Sequence, residues 1–149
     1  MVKLLAICLG VVCAMGVNKY NNVQDAIMNA DMVNICYSNK EYNIVKDSFQ
    51  YDLCMNFIEN ILDGSHQLPA LGVAIDKEVI EEKKNKDWVE FSFNKICDID
   101  GMFFDALLIF LEKDMGGVNV FRKVDGKYDG RCFYINLDNG VSESLSLFN

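Results

Sequence analysis

The chain has very few of the residues that most often carry catalysis or metal binding. Its 149 residues include one histidine, one proline and one tryptophan. The histidine, His66, stands in a Gly-Ser-His-Gln stretch, and nothing in the sequence places near it the partners that a catalytic triad or a metal-hydrolase site would need. We therefore expect His66 to be an ordinary surface residue in a loop, and the protein not to be an enzyme.

Glycosylation signals, basic residues and long apolar runs are also scarce. No Asn-x-Ser/Thr sequence occurs, so no N-linked glycan is expected. Lysine and arginine number 14 against 22 acidic residues, a net charge of -8, which disfavours nucleic acid and anionic membranes as partners because both would repel the chain. The apolar run at residues 106–111 is bounded by Asp105 and Glu112 and is too short to span a bilayer.

The N-terminus has the pattern of a secretory leader. Lys3 precedes an apolar run at residues 4–15, and Ala14 and Gly16 place small residues where signal peptidase reads them. The pattern predicts a signal peptide over residues 1–16 and a secreted, extracellular mature chain, residues 17–149, that forms one domain. The alternative is a buried N-terminal helix or strand.

Cleavage after Gly16 would remove two of the six cysteines, Cys8 and Cys13. The four cysteines that remain are an even number in an oxidising compartment, where disulfides form, so two bridges are predicted. Four cysteines allow three pairings, and the sequence does not choose among them. Zinc ligation by sulfur is the weaker interpretation, because no two of these cysteines are close in sequence. The four predicted disulfide cysteines are Cys36, Cys54, Cys97 and Cys132.

Short runs of β-branched and aromatic residues, separated by Gly, Asn and Asp, predict an all-β fold. A short N-terminal helix is predicted within residues 20–32, capped by Asn22. Residues 49–62 fit a helix as well as a strand, and residues 77–86 are rich in helix formers, so α+β is the alternative fold. The predicted strands are residues 33–37, 51–57, 73–75, 89–93, 106–111, 118–121, 132–137 and 144–148.

Two stretches of the sequence echo each other. Residues 33–37 (VNICY) correspond to residues 118–122 (VNVFR), and each is followed by a polar turn with an aromatic residue and then by a cysteine, Cys54 or Cys132. A repeated unit of strand, hairpin, strand and serine-bearing loop is the layout of a Greek key. The echo therefore predicts two such units.

The second unit, residues 118–148, resembles the βγ-crystallin family. Its Tyr128-Asp129-Gly130 is similar to that family's aromatic-x-Gly hairpin corner, and residues 138–143 (DNGVSE) are similar to its calcium signature, with Glu143 where the family has serine. The resemblance implies a Greek-key β-sandwich, which the predicted disulfides would brace. At the corner we expect Gly130 to adopt positive φ, with the aromatic ring packed over the turn.

The loop at residues 138–143 is the candidate metal site. The side-chain oxygens of Asp138, Asn139 and Ser142 suit a hard cation, so calcium is the expected cofactor. The alternative is an Asp-Asn-Gly hairpin turn, which needs no metal. Residues 98–101 (DIDG) lack the downstream glutamate of an EF-hand and are predicted to form a turn with solvated carboxylates.

Two functions from different classes are compatible with these features. The first is a secreted, non-enzymatic, calcium-binding βγ-crystallin-like module that acts as a stable extracellular binding or effector protein, with an extracellular protein or cell surface as its partner. The alternative is a small secreted carrier of an apolar ligand, with residues 102–104 and 107–111 lining its cavity. A filled core explains that apolar run equally, because strands of this kind are usually buried on both faces.

Overall fold

The structure is a computed structural model that describes residues 16–112 and 116–137. The predicted signal peptide up to residue 15, the predicted strand at residues 144–148 and the predicted calcium ligands Asp138, Asn139 and Ser142 lie outside these residues. The elements of the described part are β1 (Asn18–Lys19), α1 (Val23–Ile27), β2 (Met32–Tyr37), β3 (Lys40–Val45), α2 (Phe49–Leu62), β4 (His66–Ala74), α3 (Asp76–Lys83), β5 (Trp88–Ile99), β6 (Met102–Phe110), β7 (Gly117–Val124), β8 (Lys127–Tyr128) and β9 (Gly130–Asn136).

The strands form one sheet in the order β3-β2-β5-β6-β7-β9-β4, with every neighbouring pair antiparallel. The short β1 adds a parallel pair beside β5, and β8 pairs with β7. The fold is therefore mostly β, as predicted. The predicted Greek-key sandwich is not shown, because the described strands belong to one nine-stranded sheet rather than to two packed sheets.

Three of the hairpins close through two-residue turns in which both residues have positive φ. They join β2 to β3, β5 to β6 and β7 to β8, and this turn type matches the right-handed twist of antiparallel strands. In the second of them Asp98 accepts a hydrogen bond of 2.8 Å from the backbone N–H of Gly101. The predicted turn is confirmed at Asp100-Gly101, whereas Asp98 and Ile99 are the end of strand β5.

The predicted N-terminal helix is present but shorter, as α1. Asn22 caps it by accepting a hydrogen bond of 2.8 Å from the backbone N–H of Asp25, as the sequence predicts. The helix buries Val23, Ala26 and Ile27 against the sheet.

The prediction of a strand at residues 51–57 is wrong. The alternative prediction, a helix over residues 49–62, is confirmed by α2. Ser48 caps it through the backbone N–H of Tyr51, and Tyr51, Cys54 and Ile58 are buried at helical spacing. The proposed repeat fails for the same reason, because Cys54 lies in a helix whereas Cys132 lies in strand β9.

The sheet has an apolar core on each face, so helices cover both faces as in the alternative α+β fold. Val89 and Phe91 of β5 belong to the larger core, which α1 and α2 cover. Trp88, the neighbouring residue, points to the other face and packs in the smaller core with Val79 of α3. The solvent side of α3 carries exposed charges, including a 2.6 Å ion pair between Lys84 and Glu81.

Candidate functional site

The four cysteines of the predicted disulfides are free thiols in the structure. Cys54 of α2 and Cys97 of β5 belong to the core under α1 and α2, whereas Cys132 of β9 belongs to the core under α3. Cys36 of β2 packs at the edge of that second core. The sheet therefore separates the cysteines into two sets, and the structure shows neither of the two predicted bridges.

Burial lowers the reactivity of Cys54, Cys97 and Cys132 at neutral pH. It raises the pKa of Cys54 to about 11, and burial together with the charges of Asp31 and Asp105 raises the pKa of Cys97 to about 12. Burial also raises the pKa of Cys132, although the Arg122 charge opposes this. A protonated, buried thiol packs as a small apolar group rather than acting as a nucleophile.

We expect a purified chain that is denatured without reductant to release one reactive thiol for every cysteine it contains. The folded chain should react slowly at Cys54, Cys97 and Cys132, because all three are buried and hold their protons. Titration with Ellman's reagent, with and without guanidinium chloride, measures both quantities. A denatured, unreduced chain that released four thiols fewer than it has cysteines would instead support the two bridges predicted from the sequence.

An apolar cleft lies between α2 and the sheet and is the candidate functional site. Its volume is about 50 Å³. The helix contributes one wall, formed by side chains at positions three and four apart that share one face: Cys54, Phe57, Ile58, Ile61 and Leu62.

Alternate residues of the central strands form the floor of this cleft. Ile35 of β2, Val89 and Phe91 of β5 and Ile109 of β6 all face it, because register partners on antiparallel strands share a face of the sheet. The remaining lining side chains are also apolar, namely Ile27, Leu111, Val118 and Leu137. No charged or amide side chain of the described residues lines the cleft.

The cleft continues into an apolar stripe on the surface of α2. Phe49 and Leu53 are 73% and 54% exposed, and they stand four residues apart, with the half-buried Phe57 four residues further on. Residues at this spacing are neighbours on a helix surface. The stripe therefore leads from solvent towards the C-terminal half of α2, where Ile61 and Leu62 are half-buried at the cleft.

Most of the residues predicted to line a carrier's cavity, residues 102–104 and 107–111, do not line this cleft. Phe104, Leu107 and Leu108 of β6 are fully buried, and Phe103 is 47% exposed, so most of that run fills the two cores. Only its end, from residue 109, reaches the cleft. The residues that sequence reasoning missed are those of α2, whose helical spacing was the available signal.

The predicted calcium ligands lie outside the residues that the structure describes. Among residues 16–112 and 116–137, no group of three or more histidine, cysteine or acidic side chains is placed to hold a metal ion. The calcium ligands Asp138, Asn139 and Ser142 therefore stay a prediction. His66 is exposed as expected, but it begins β4 rather than lying in a loop. Within the same residues, no helix is long and apolar enough to cross a membrane.

No protein-family model matches the chain, and no curated protein or solved structure matches it either. The resemblance of residues 118–148 to the βγ-crystallins thus remains a prediction from the sequence. The function has to be argued from the geometry of the site.

Proposed function

We propose that this protein is a secreted carrier that binds a small apolar ligand in the cleft between α2 and the sheet. The observation that carries the proposal is the uninterrupted apolar lining of the cleft. A polar group of a ligand would lose its hydrogen bonds with water there and find no replacement, which costs on the order of 2–7 kcal/mol. The part of the ligand that enters must therefore be hydrocarbon, either a chain or a ring.

The proposal requires α2 to move when the ligand binds. The cleft of about 50 Å³ is far smaller than the roughly 300–1,000 Å³ of typical ligand pockets. The N-terminal half of α2 is anchored, because the hydroxyl of buried Tyr51 donates a hydrogen bond to the Ala30 carbonyl. The C-terminal half presents the half-buried Phe57, Ile61 and Leu62 and is the part that would swing outwards.

Burial of the ligand would supply the free energy for this movement. Each methylene group that leaves water contributes about 0.8 kcal/mol. A ligand also covers apolar atoms of α2 and the sheet that face the cleft in its absence, and this adds to the gain. A chain of several methylene groups therefore offsets the loss of contacts under the end of the helix.

A neutral fluorescent dye tests this proposal. We expect N-phenyl-naphthylamine to bind the folded chain saturably, with enhanced emission, because the dye has an apolar body and no charge. The Ile109→Phe substitution should abolish or strongly weaken this binding, since the larger side chain fills the cleft from the floor. Fluorescence titration of both chains measures the difference.

The matched control is Ile80→Phe, the same substitution on α3. Ile80 is exposed and α3 covers the opposite face of the sheet, so this variant should bind the dye like the unchanged protein. If the unchanged chain gives no saturable emission, or if the two variants bind the dye equally, the carrier proposal is wrong.

The calcium-binding module predicted from the sequence is a separate proposal that rests on Asp138, Asn139 and Ser142. We expect calcium at a hundredfold excess over its Kd to stabilise the full chain by about 2.7 kcal/mol, because the ion would bind only the folded state. Thermal unfolding in calcium and then in chelator measures the shift, and Asp138→Ala should remove it. Identical unfolding curves in the two solutions would reduce the loop to an ordinary turn.

A further inference from the structure

The face of the sheet opposite the apolar cleft carries a cluster of polar side chains. Asn43 of β3, Asn34 of β2 and Glu90 of β5 are register partners, so their side chains form one row across three strands. The next row along the same face contains Glu41 of β3 and Trp88 of β5, both paired with Cys36. The two rows lie side by side, because positions two apart on a strand share a face.

These rows enclose a second cleft of about 160 Å³, roughly three times the volume of the apolar one. Its walls combine two amides, two carboxylates and the ring of Trp88. The residues that line it are Asn34, Glu41, Tyr42, Asn43, Trp88 and Glu90.

Glu90 is a buried and hydrogen-bonded wall of this second cleft. Only 7% of the residue is exposed, and one carboxylate oxygen, Oε2, accepts hydrogen bonds from the hydroxyl of Tyr128 and from Lys83 Nζ, the latter at 3.2 Å. The other oxygen, Oε1, has Lys123 Nζ at 3.7 Å, which is close enough for an ion pair but too long for a hydrogen bond. Glu90 thus has its charge balanced while Oε1 can still accept a hydrogen bond.

Trp88 is fixed at the side of the cleft by α3. Its indole N–H donates a hydrogen bond of 3.2 Å to the carbonyl of Lys83, and the Lys83 ammonium lies 3.9 Å from the ring centroid. The only polar atom of the side chain is therefore already bonded, and the part that faces the cleft is apolar. Tyr42 pairs with Ile35, so its side chain points to the opposite face of the sheet and Trp88 is the aromatic side chain of this cleft.

The charges around the cleft disfavour an ionic ligand. A cation would meet Lys83 and Lys123 near the Glu90 carboxylate, and an anion would meet Glu41 and Glu90. The Asn43 amide offers donors and an acceptor, and the Asn34 amide, which donates one hydrogen bond of 3.4 Å to Ser92, keeps its acceptor and a second N–H. Such groups suit hydroxyls, which also donate and accept. Aromatic surface beside such groups suits the C–H face of a ring.

From these contacts we infer that the second cleft binds a neutral saccharide, with one sugar ring held between the two asparagines, Glu90 and Trp88. The ring's hydroxyl groups exchange hydrogen bonds with the amides and donate to Glu90 Oε1. Its C–H groups contact the small part of Trp88 that stays exposed at the cleft, because the residue is 7% exposed and Lys83 lies over the ring. This site is independent of the apolar cleft, because the two lie on opposite faces of the sheet.

Trp88 is the only tryptophan of the chain, so its emission reports on this cleft directly. The full chain is titrated separately with glucose, galactose, mannose and N-acetylglucosamine at millimolar concentrations. We expect at least one of them to change the emission saturably, and the protons of that sugar to receive magnetisation from the protein in a saturation-transfer NMR experiment. The absence of both signals for all four sugars would overturn the inference.

Substitutions locate the binding. Asn43→Ala should weaken the affinity roughly three- to tenfold, which corresponds to the loss of about one hydrogen bond, and it should fold normally because Asn43 is exposed on an edge strand. Glu90→Gln keeps the shape of the side chain but removes the carboxylate charge, and it too should weaken the sugar affinity. Equal affinity in Asn43→Ala and the unchanged chain would overturn the assignment to this cleft.

The control variants separate this inference from the carrier proposal. Glu59→Gln changes an exposed carboxylate on α2, away from this cleft, and should leave the sugar titration unchanged. Ile109→Phe should likewise leave sugar binding intact while it removes dye binding. Sugar binding that Ile109→Phe abolished would place the sugar in the other cleft and contradict the inference.

Discussion

Phe104→Ala is expected to lower the free energy of unfolding by about 3–5 kcal/mol, a large part of the roughly 5–15 kcal/mol that a folded domain has. Phe104 has no solvent exposure and lies in the larger core. Its ring meets Phe93 edge-on at 5.5 Å between centroids and Phe133 at 6.1 Å. Truncation removes both aromatic contacts and leaves a cavity that three different strands surround, so the site cannot easily collapse.

The neighbouring residue provides a matched control. Phe103 is 47% exposed because its side chain points to the other side of β6. Phe103→Ala should therefore cost only about 1 kcal/mol, since nearly half of the residue's area stays in water after folding. Guanidinium unfolding followed by Trp88 fluorescence measures both variants. Equal losses at the two positions would show that the assigned faces of β6 are wrong.

Local features of the fold followed from the sequence because single residues determine them. Asn22 caps α1 through its own side chain, and the Asp100-Gly101 turn needs only two residues that tolerate positive φ. The runs of β-branched and aromatic residues likewise predicted strands at residues 89–93 and 106–111, which are parts of β5 and β6, although β5 continues to Ile99 and β6 begins at Met102.

The identity of α2 was ambiguous for a physical reason. Its run of apolar residues fits both a strand and a helix, and the side chains that decide between them, Tyr51, Cys54 and Ile58, are buried only once the sheet is assembled. Tertiary packing therefore selected the helix. The predicted repeat is wrong for the same reason, because it required a strand at Cys54.

Both clefts depend on register, which the sequence does not contain in readable form. Asn34, Asn43 and Glu90 become neighbours only because β2 pairs with β3 on one side and with β5 on the other. The two predicted disulfides are not formed in the structure for a related reason. An even count of cysteines says nothing about which face of a sheet each of them occupies.

Gly130→Ala is expected to destabilise the fold by about 2–4 kcal/mol, through backbone strain and through a clash. The predicted positive φ at Gly130 is confirmed at 90°, a conformation that alanine rarely adopts. A Cβ atom at this position would lie 2.7 Å from Nη2 of Arg122. Arg122 cannot yield freely, because it is only 9% exposed and donates hydrogen bonds of 2.6 and 2.7 Å to the carbonyls of Arg131 and Phe103.

Gly126→Ala separates the two causes. Gly126 has a similar φ of 78°, but a Cβ atom there would meet nothing within 4 Å, so this variant should carry only the backbone cost of about 1–2 kcal/mol. The difference between the two variants in guanidinium unfolding then measures the contact with Arg122. Burial lowers the pKa of Arg122, and its guanidinium donates to two backbone carbonyls, so any displacement leaves a buried charge poorly solvated. If both glycine variants lose the same stability, Arg122 yields without cost and its hydrogen bonds do not fix the start of β9.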